Sequence, residues 1–409
     1  MNLSCRFCGA ALSHRLVDLG QSPLSNRFLT AGQLGQMEPF YPLTVYVCEQ
    51  CLLVQLPGVE TPEHIFSDYV YFSSYSDTWL AHARAYCEAM IARFGLDAGT
   101  RVVEIASNDG YLLQYFCSVG IPVLGVEPAA NVAAVARQKG VETVVRFFGA
   151  DTARALAAEG RTARLLLGNN VLAHVPDLND FVAGLRILLQ PGGVITMEFP
   201  HLLRLMESNQ FDTIYHEHFS YFSLLAVRRV FAAHQLTIVD VDELPTHGGS
   251  LRIYARHSDE ASDPGSAVSR IDSLERLYGL ERMETYAGFS SRVQAVKRAL
   301  LAFLISARDQ GKHVAAYGAP AKGNTLLNYC GIRADLIDYT VDRSPHKQGL
   351  FLPGTHIPVH APERLRETRP DFVLILPWNL KEEVVEQMAH VREWGGRFVV
   401  PIPRLEIIE

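Results

Sequence analysis

From Arg101 to Pro200 the chain alternates between two hydrophobic patterns. Short β-branched or leucine-rich runs, such as Val102-Val103 with Ile105, Ile121 to Val126, Leu165 to Leu167 and Val194 to Phe199, alternate with stretches whose apolar residues recur every three or four positions. Runs of the first kind read as buried strands and the stretches between them as amphipathic helices. The pattern predicts strands over 101–106, 121–127, 143–148, 163–168 and 193–199, with helices over 110–119, 129–139, 151–158 and 178–189 between them. A helix over 223–234 and strands over 236–243 and 251–257, the last one antiparallel, complete the series. Alternation of this kind builds a parallel sheet with helices on both faces.

Upstream, Trp79, Ala83, Tyr86, Met90 and Phe94 keep helical spacing until Gly95 stops it. Residues 262–311 carry no strand pattern and many leucines, arginines and glutamates, which reads as one or two long helices. A second alternating series then begins: strand 313–318, helix 320–329, strands 336–341 and 371–376, helix 380–394 and strand 397–401. The fold class is therefore α/β, a doubly wound sheet followed by a second, Rossmann-like unit.

Composition narrows the partners. The 409 residues are 48% apolar, enough for two or three cores, and a net charge of −7 without a basic run makes nucleic acid and anionic membrane unexpected partners. No apolar run approaches bilayer length, and the N-terminus carries cysteines where a secretory signal would carry an apolar segment, so a cytoplasmic protein is expected. Of seven cysteines, four form two Cys-x-x-Cys pairs, Cys5 with Cys8 and Cys48 with Cys51. Four thiolates on two knuckles supply a closed tetrahedral zinc site, structural because it leaves no position for a substrate. Isolated Cys87, Cys117 and Cys330 read as small core residues. These signals divide the chain into a zinc-binding domain over 1–75, a central α/β domain over 76–260 and a helical linker with a Rossmann-like domain over 261–409.

The loop after the first strand, Ala106-Ser107-Asn108-Asp109-Gly110-Tyr111, has one glycine where a dinucleotide fold would want Gly-x-Gly-x-x-Gly. Glu104 and Asp109 make it acidic, which repels a pyrophosphate but suits the sulfonium and ammonium of S-adenosylmethionine (SAM). Glu127, ending the second strand, can accept from two ribose hydroxyls. At this point the chain resembles the SAM-dependent methyltransferases of the doubly wound type (class I), whose first motif has this acid, small-residue loop and Asp-Gly. The expected cofactor-binding residues are Glu104, Ala106, Asn108, Asp109, Gly110, Tyr111, Glu127, Pro128, Asn169 and Asn170.

The densest cluster of functional groups is Tyr215-His216-Glu217-His218 with Tyr221. A histidine near its ordinary pKa can take a proton at neutral pH, and a neighbouring carboxylate or phenol can orient it. His174, just past strand 163–168, is expected on the same rim, and the Tyr- and Ser-rich stretch 68–76, with Tyr71 and Tyr75, reads as a lid over a polar ligand. His247-Gly248-Gly249 before Arg252 is a turn suited to close approach by a sugar or phosphate. Tyr317-Gly318 to Lys322 leaves a strand and enters a helix, which suits an anion such as the diphosphate of a nucleotide sugar.

Taken in order, the paired knuckles, Tyr71, the Glu-Ile-x-x-Asn-Asp-Gly loop, His174, Tyr215-x-Glu217-His218, His247-Gly-Gly and Tyr317-Gly-Ala-x-Ala-Lys322 resemble the three-domain sugar C-methyltransferases over essentially the whole chain. The resemblance implies SAM-dependent methylation at C-3 of a dTDP- or GDP-linked 4-keto deoxysugar held between two nucleotide folds. His218 would be the base, with Glu217, Tyr215, His174 and Tyr71 around it. Tyr75, His216, Tyr221, His247, Gly248, Gly249, Tyr317, Gly318, Lys322, Lys347, Trp378 and Asn379 would meet the substrate. His216 departs from the acid found in the best-known members and adds a second candidate base. The alternatives are a sugar O- or N-methyltransferase and a non-catalytic, zinc-stabilised nucleotide-sugar binder; a monomer is expected.

Overall fold

The computed structural model describes residues 3–59, 73–75 and 77–409, and the chain divides into two compact units. The first comprises residues 1–12, 48–201 and 219–281; the second comprises 13–47, 202–218 and 282–409.

The first unit is built on seven strands: β1 (Val102–Ile105), β2 (Val123–Val126), β3 (Thr143–Val144), β4 (Ala163–Asn169), β5 (Leu189–Pro200), β6 (Leu236–Leu244) and β7 (Ser250–His257). Their order across the sheet is 3-2-1-4-5-7-6, parallel except for β7, which runs antiparallel to both β5 and β6. Every residue of β1 and β2 is buried, as continuous apolar strands must be when helices cover both faces. Side chains alternate between the faces. Val103, Ile105, Leu124 and Val126 join Phe181, Leu185 and Phe231 in one core, while Val102, Leu165 and Leu167 join Tyr86, Met90 and Phe116 in the other.

Local chemistry fixes the helix ends. Asp177 caps the helix Leu178–Leu188 by accepting from the Asp180 N–H at 3.0 Å, and Ser223 caps Leu224–Ala233 by accepting from the Ala226 N–H at 3.0 Å. The first two N–H groups of that second helix, Leu224 and Leu225, donate at 2.6 and 2.8 Å to the buried Glu275 carboxylate from the helix Ser266–Tyr278.

The second unit carries β8 (Val314–Tyr317), β9 (Thr340–Val341), β10 (Val359–His360), β11 (Phe372–Ile375), β12 (Arg397–Val400) and β13 (Glu406–Ile408) in the order 10-9-8-11-12-13. Only β13 is antiparallel. Helices Met283–Ala287 and Phe289–Asp309 precede this sheet, and Ala321–Cys330 follows β8 through a three-residue loop, 318–320. An antiparallel hairpin, His14–Ser22 with Tyr41–Val47, belongs to the same unit.

The pattern located most strands and helices of the two alternating series, but not the strand His14–Ser22 or the helices Leu202–Glu207 and Arg364–Thr368, and of the strand expected over 336–341 only Thr340–Val341 forms. The helix expected from 110 starts only at Leu113, because Ala106, Asn108 and Gly110 all adopt positive φ and turn the chain first. β3 stops at Val144: it is an edge strand, paired only with β2, and its continuation through Arg146 and Phe147 is exposed. The helix expected over 380–394 divides into Lys381–Gln387 and a 3-10 turn over Ala389–Trp394. β10 and β13 were not anticipated, being very short strands with no apolar alternation to announce them.

Candidate active site

The four knuckle cysteines converge in the first unit. Cys5 and Cys48 each accept a backbone N–H four residues on, from Gly9 (2.9 Å) and Leu52 (2.8 Å), and both of those residues have positive φ. The two loops repeat one geometry and bring all four sulfurs within 4.8 Å of one another, with Cys5 Sγ 3.5 Å from Cys51 Sγ and Cys8 Sγ 3.5 Å from Cys48 Sγ. The Gln55 side-chain amide donates to Cys5 Sγ at 3.1 Å, and the Cys51 sulfhydryl is the main influence holding the Cys5 thiol down to about 4. The same contact raises Cys51, and burial raises Cys8, so what fits zinc is four sulfurs at tetrahedral spacing, which these cysteines would hold with no position open.

The second cluster lies at the carboxyl ends of β1, β2, β4 and β5. Gly125 lets the loop after β1 lie directly on β2: a Cβ there would stand 2.3 Å from Ser107 Oγ. The Glu127 carboxylate spans the loop, accepting from the Asn108 N–H and the Ala129 N–H, both at 2.9 Å. Glu104 is almost wholly buried, and its carboxyl is pushed well above the usual range by burial and then by the charges of Glu127 and Asp109. Lys139 Nζ donates to Asp109 at 3.1 Å. Glu104 Oε2, Asp109 Oδ1, Ser107 Oγ, both side-chain polar atoms of Asn169 and Asn170 Oδ1 are buried without a hydrogen-bond partner among the described residues. Unpartnered buried carboxyl, amide and hydroxyl groups around a loop too poor in glycine for a pyrophosphate fit a ligand that carries positive charge and hydroxyls, as SAM does.

Beside this loop, Asn170 donates to His247 Nε2 at 3.2 Å across a turn in which His247, Gly248 and Gly249 all have positive φ. His174 ends a 3-10 turn, Leu172–His174, just after β4, Pro128 lies between Glu127 and the next helix, and the largely buried Tyr221 pairs with Val54 in a two-residue strand.

The third cluster, in the second unit, is the turn 211–218. His218 Nδ1 lies 2.9 Å from the Thr213 carbonyl oxygen. A carbonyl only accepts, so Nδ1 carries the hydrogen and Nε2 is the basic nitrogen. The Tyr215 ring lies tilted against it, centroids 4.1 Å apart and planes 34° from parallel. Glu217 is 5% exposed, accepts from Asn26 Nδ2 at 2.6 Å, and is raised to about 7 by burial. His216 points elsewhere: Nε2 is 3.2 Å from the Pro42 carbonyl, its ring meets Tyr41 edge-on, and burial lowers its pKa.

The same turn is bolted to the second Rossmann-like sheet. Thr325 Oγ1 donates to the Ile214 carbonyl at 3.0 Å, and Trp378 Nε1 donates at 2.7 Å to Asp212, a fully buried carboxyl raised to about 6 by that burial. Lys322 Nζ sits 4.5 Å over the Trp378 ring and donates to Asn379, while burial brings its pKa down to about 8. Gly318 has φ +87°, and a Cβ there would stand 2.6 Å from Pro377; Lys347 Nζ donates to the Ala319 carbonyl at 2.9 Å, and the Tyr317 hydroxyl reaches Gln387 at 3.3 Å.

The expected donor residues thus gather in one cluster, Tyr215, Glu217 and His218 in another, and Tyr317, Gly318, Lys322, Lys347, Trp378 and Asn379 around one strand–helix junction. Tyr71 lies outside the described residues, as do 68–72 and 76 of the expected lid, and of Tyr75 only the backbone is described. Sequence reading passed over Asn26 and Asp212, the partners of Glu217 and Trp378, and Glu198 and His82 in the first unit. Each carries its signal only in contacts dozens to nearly two hundred positions away.

The sheet order, the antiparallel seventh strand and the acidic loop define a SAM-dependent methyltransferase of class I. Three family models match in series: a zinc binding domain over residues 5–66, a methyltransferase domain over 79–241 and a C-methyltransferase C-terminal domain over 245–403. The chain is 37% identical over 404 residues to the C-methyltransferase NovU of Streptomyces niveus, covering 99% of this chain and 96% of that one. A ubiquinone biosynthesis O-methyltransferase of Chelativorans sp. is 31% identical over 112 residues, 25% of this chain and 44% of the relative. Magnesium protoporphyrin IX methyltransferase from Synechocystis PCC 6803 aligns over 46% of this chain and 84% of that one, with 15% identity and a TM-score of 0.33. The chain belongs to the family of C-methyltransferases that includes NovU, with SAM as methyl donor and zinc as structural metal.

Proposed function

We propose that the protein methylates C-3 of a 4-keto deoxysugar nucleotide, dTDP- or GDP-linked, through an enolate formed by His218. The observation that carries this reading is the His218 Nδ1 contact with the Thr213 carbonyl, which leaves Nε2 as the base. A hydrogen on the carbon beside a ketone is acidic enough to be removed when the enolate oxygen is stabilised. His218 Nε2 takes that proton, and the C–H electron pair moves toward the carbonyl oxygen. A neighbouring donor meets the developing charge: the Tyr215 hydroxyl, or Glu217, which with a pKa near 7 keeps its proton for much of the time at neutral pH. When bound, SAM supplies a methyl group made electrophilic by its sulfonium. As the ketone re-forms, C-3 takes that methyl, the electron pair of the broken bond stays on the donor sulfur as S-adenosylhomocysteine leaves, and His218 is left protonated. His174 and Tyr71 complete the proposed set.

A nucleotide-linked acceptor is supported by the junction after β8, where Lys322 lies over Trp378 beside Asn379, with Lys347 close to Ala319. A cation at a helix N-terminus suits a diphosphate, and an indole face suits a base or sugar. In this reading His247, Gly248 and Gly249 approach the sugar.

The test is NMR of candidate dTDP- and GDP-linked 4-keto deoxysugars incubated with the protein in deuterated water. Without SAM the C-3 proton should exchange with solvent, and with SAM a new methyl should appear on that carbon. Methylation on oxygen or nitrogen, with the C-3 proton retained, would overturn the reading.

A further inference from the structure

One polar cluster in the first unit has no role in the chemistry above. Glu198 lies near the carboxyl end of β5 with its carboxylate fully buried. Its partners come from three elements. His82 Nε2, on the helix Asp77–Phe94, is 3.1 Å from both oxygens; Arg252, on β7, donates at 2.9 Å; and the Thr246 hydroxyl, in the turn before β7, donates at 3.1 Å. Burial alone would raise this carboxyl, but the His82 hydrogen bond and the Arg252 charge hold it below its ordinary value. A buried ionic cluster is a poor way to gain stability over apolar packing, and its better-attested use is to fix geometry.

What it fixes can be followed ring by ring. His82 lies one helical turn beyond Trp79 and stacks on it, centroids 5.0 Å apart and planes 20° from parallel. Trp79 in turn stacks at 6.0 Å and 24° on Tyr111, the residue after Gly110 in the donor loop, and comes within 5.5 Å of the His247 ring. The residues just before this helix are tied to the same loop: the Ser73 N–H donates to Asn108 Oδ1 at 3.0 Å, and Lys139, which pairs with Asp109, also donates to Ser74 at 2.6 Å.

We propose that Glu198 and His82 are positioning residues for the methyl donor. Glu198 anchors His82, His82 orients Trp79, and Trp79 holds Tyr111 and the acidic loop in the shape that accepts SAM. The effect belongs to donor binding and not to the chemical step.

The test uses the full-length zinc-loaded protein, with calorimetry of S-adenosylhomocysteine binding and steady-state kinetics. His82→Phe keeps a ring but removes the nitrogen that meets the carboxylate, and should weaken binding about tenfold and raise KM for SAM, with kcat at saturating SAM unchanged. His82→Gln, which keeps an N–H donor, should recover most of the affinity. In a Trp79→Leu background His82→Phe should cost nothing further, because its path runs through the indole. Glu198→Gln should reproduce the His82→Phe phenotype if it folds, and His82, at the less buried end of the pair, decides the matter if it does not. Affinity unchanged in His82→Phe, or losses from His82→Phe and Trp79→Leu that simply add, would overturn the proposal.

Discussion

The donor loop and the turn 211–218 solve opposite electrostatic problems. Around Ala106 to Tyr111, buried acidic groups crowd together and several of their oxygens have no partner among the described residues. Around Thr213 to His218 the functional groups are matched by protein: His218 by a carbonyl, Glu217 by Asn26, and the supporting Asp212 by Trp378. The first region is shaped for a cation that is not part of the chain. The second is tuned internally, with burial moving Glu217 and Asp212 toward neutrality, as a site must be if it is to hold and move a proton. In the proposed mechanism binding energy and proton chemistry are divided between two kinds of polar environment, and substitutions should separate them.

The largest expected effect is at His218. His218→Asn removes the basic nitrogen and should lower kcat by about a thousandfold, within the usual range for loss of a general base, and abolish solvent exchange at C-3. Binding of S-adenosylhomocysteine should be unchanged. A weakened donor affinity in this variant would break the separation. The converse substitution is Glu104→Gln, which removes a carboxyl that can give up its proton when a cation binds beside it, while leaving the shape. It should weaken SAM binding by roughly ten- to a hundredfold in calorimetry, without a comparable loss of kcat at saturating donor.

Trp378→Phe tests how the turn is held. It strips the indole donor from Asp212, whose other oxygen already has no partner among the described residues, leaving a buried carboxyl unsatisfied. A loss of about 2 kcal/mol in denaturant unfolding is expected, with kcat down about tenfold and donor affinity intact.

These same residues mark how far the sequence could be read. The sheets were legible because β-branched runs such as Val102 to Ile105 are buried on both faces and have no polar residue to blur them, apart from Glu104, which is itself a site residue. The zinc knuckles and the acidic loop were legible because their chemistry is local: ligand spacing and loop composition lie within a few consecutive positions. Glu198 was hidden because Thr-Met-Glu-Phe-Pro reads as the tail of a strand, and its partners stand 54 and 116 positions away. Asn26 was hidden in a turn-rich stretch for the same reason. The choice between His216 and His218 was also beyond sequence: the two are adjacent in kind, and only the fold turns one toward Pro42 and the other toward Thr213.

The smallest expected effect concerns Glu217. Its carboxyl is raised by burial from the ordinary 4.5 to about 7 in the folded chain. Below pH 4.5 the group is protonated both folded and unfolded, and its contribution to stability is fully present. Between 4.5 and 7 the unfolded chain releases the proton while the folded chain retains it, so stability falls as pH rises; above 7 both forms are ionised and the loss is complete. Glu217→Gln cannot ionise and escapes this penalty while keeping a side-chain oxygen that can accept from Asn26. The melting temperature of the variant should therefore gain on the parent protein steadily from pH 4.5 to 7 and then hold constant, by about 1 kcal/mol or a few degrees. The full shift would imply more, but local opening lets water reach a carboxylate once it is charged. A gap in melting temperature independent of pH would mean that Glu217 is ionised in the folded protein throughout. In that case it could not donate to a developing enolate, and Tyr215 would remain as the donor on this turn.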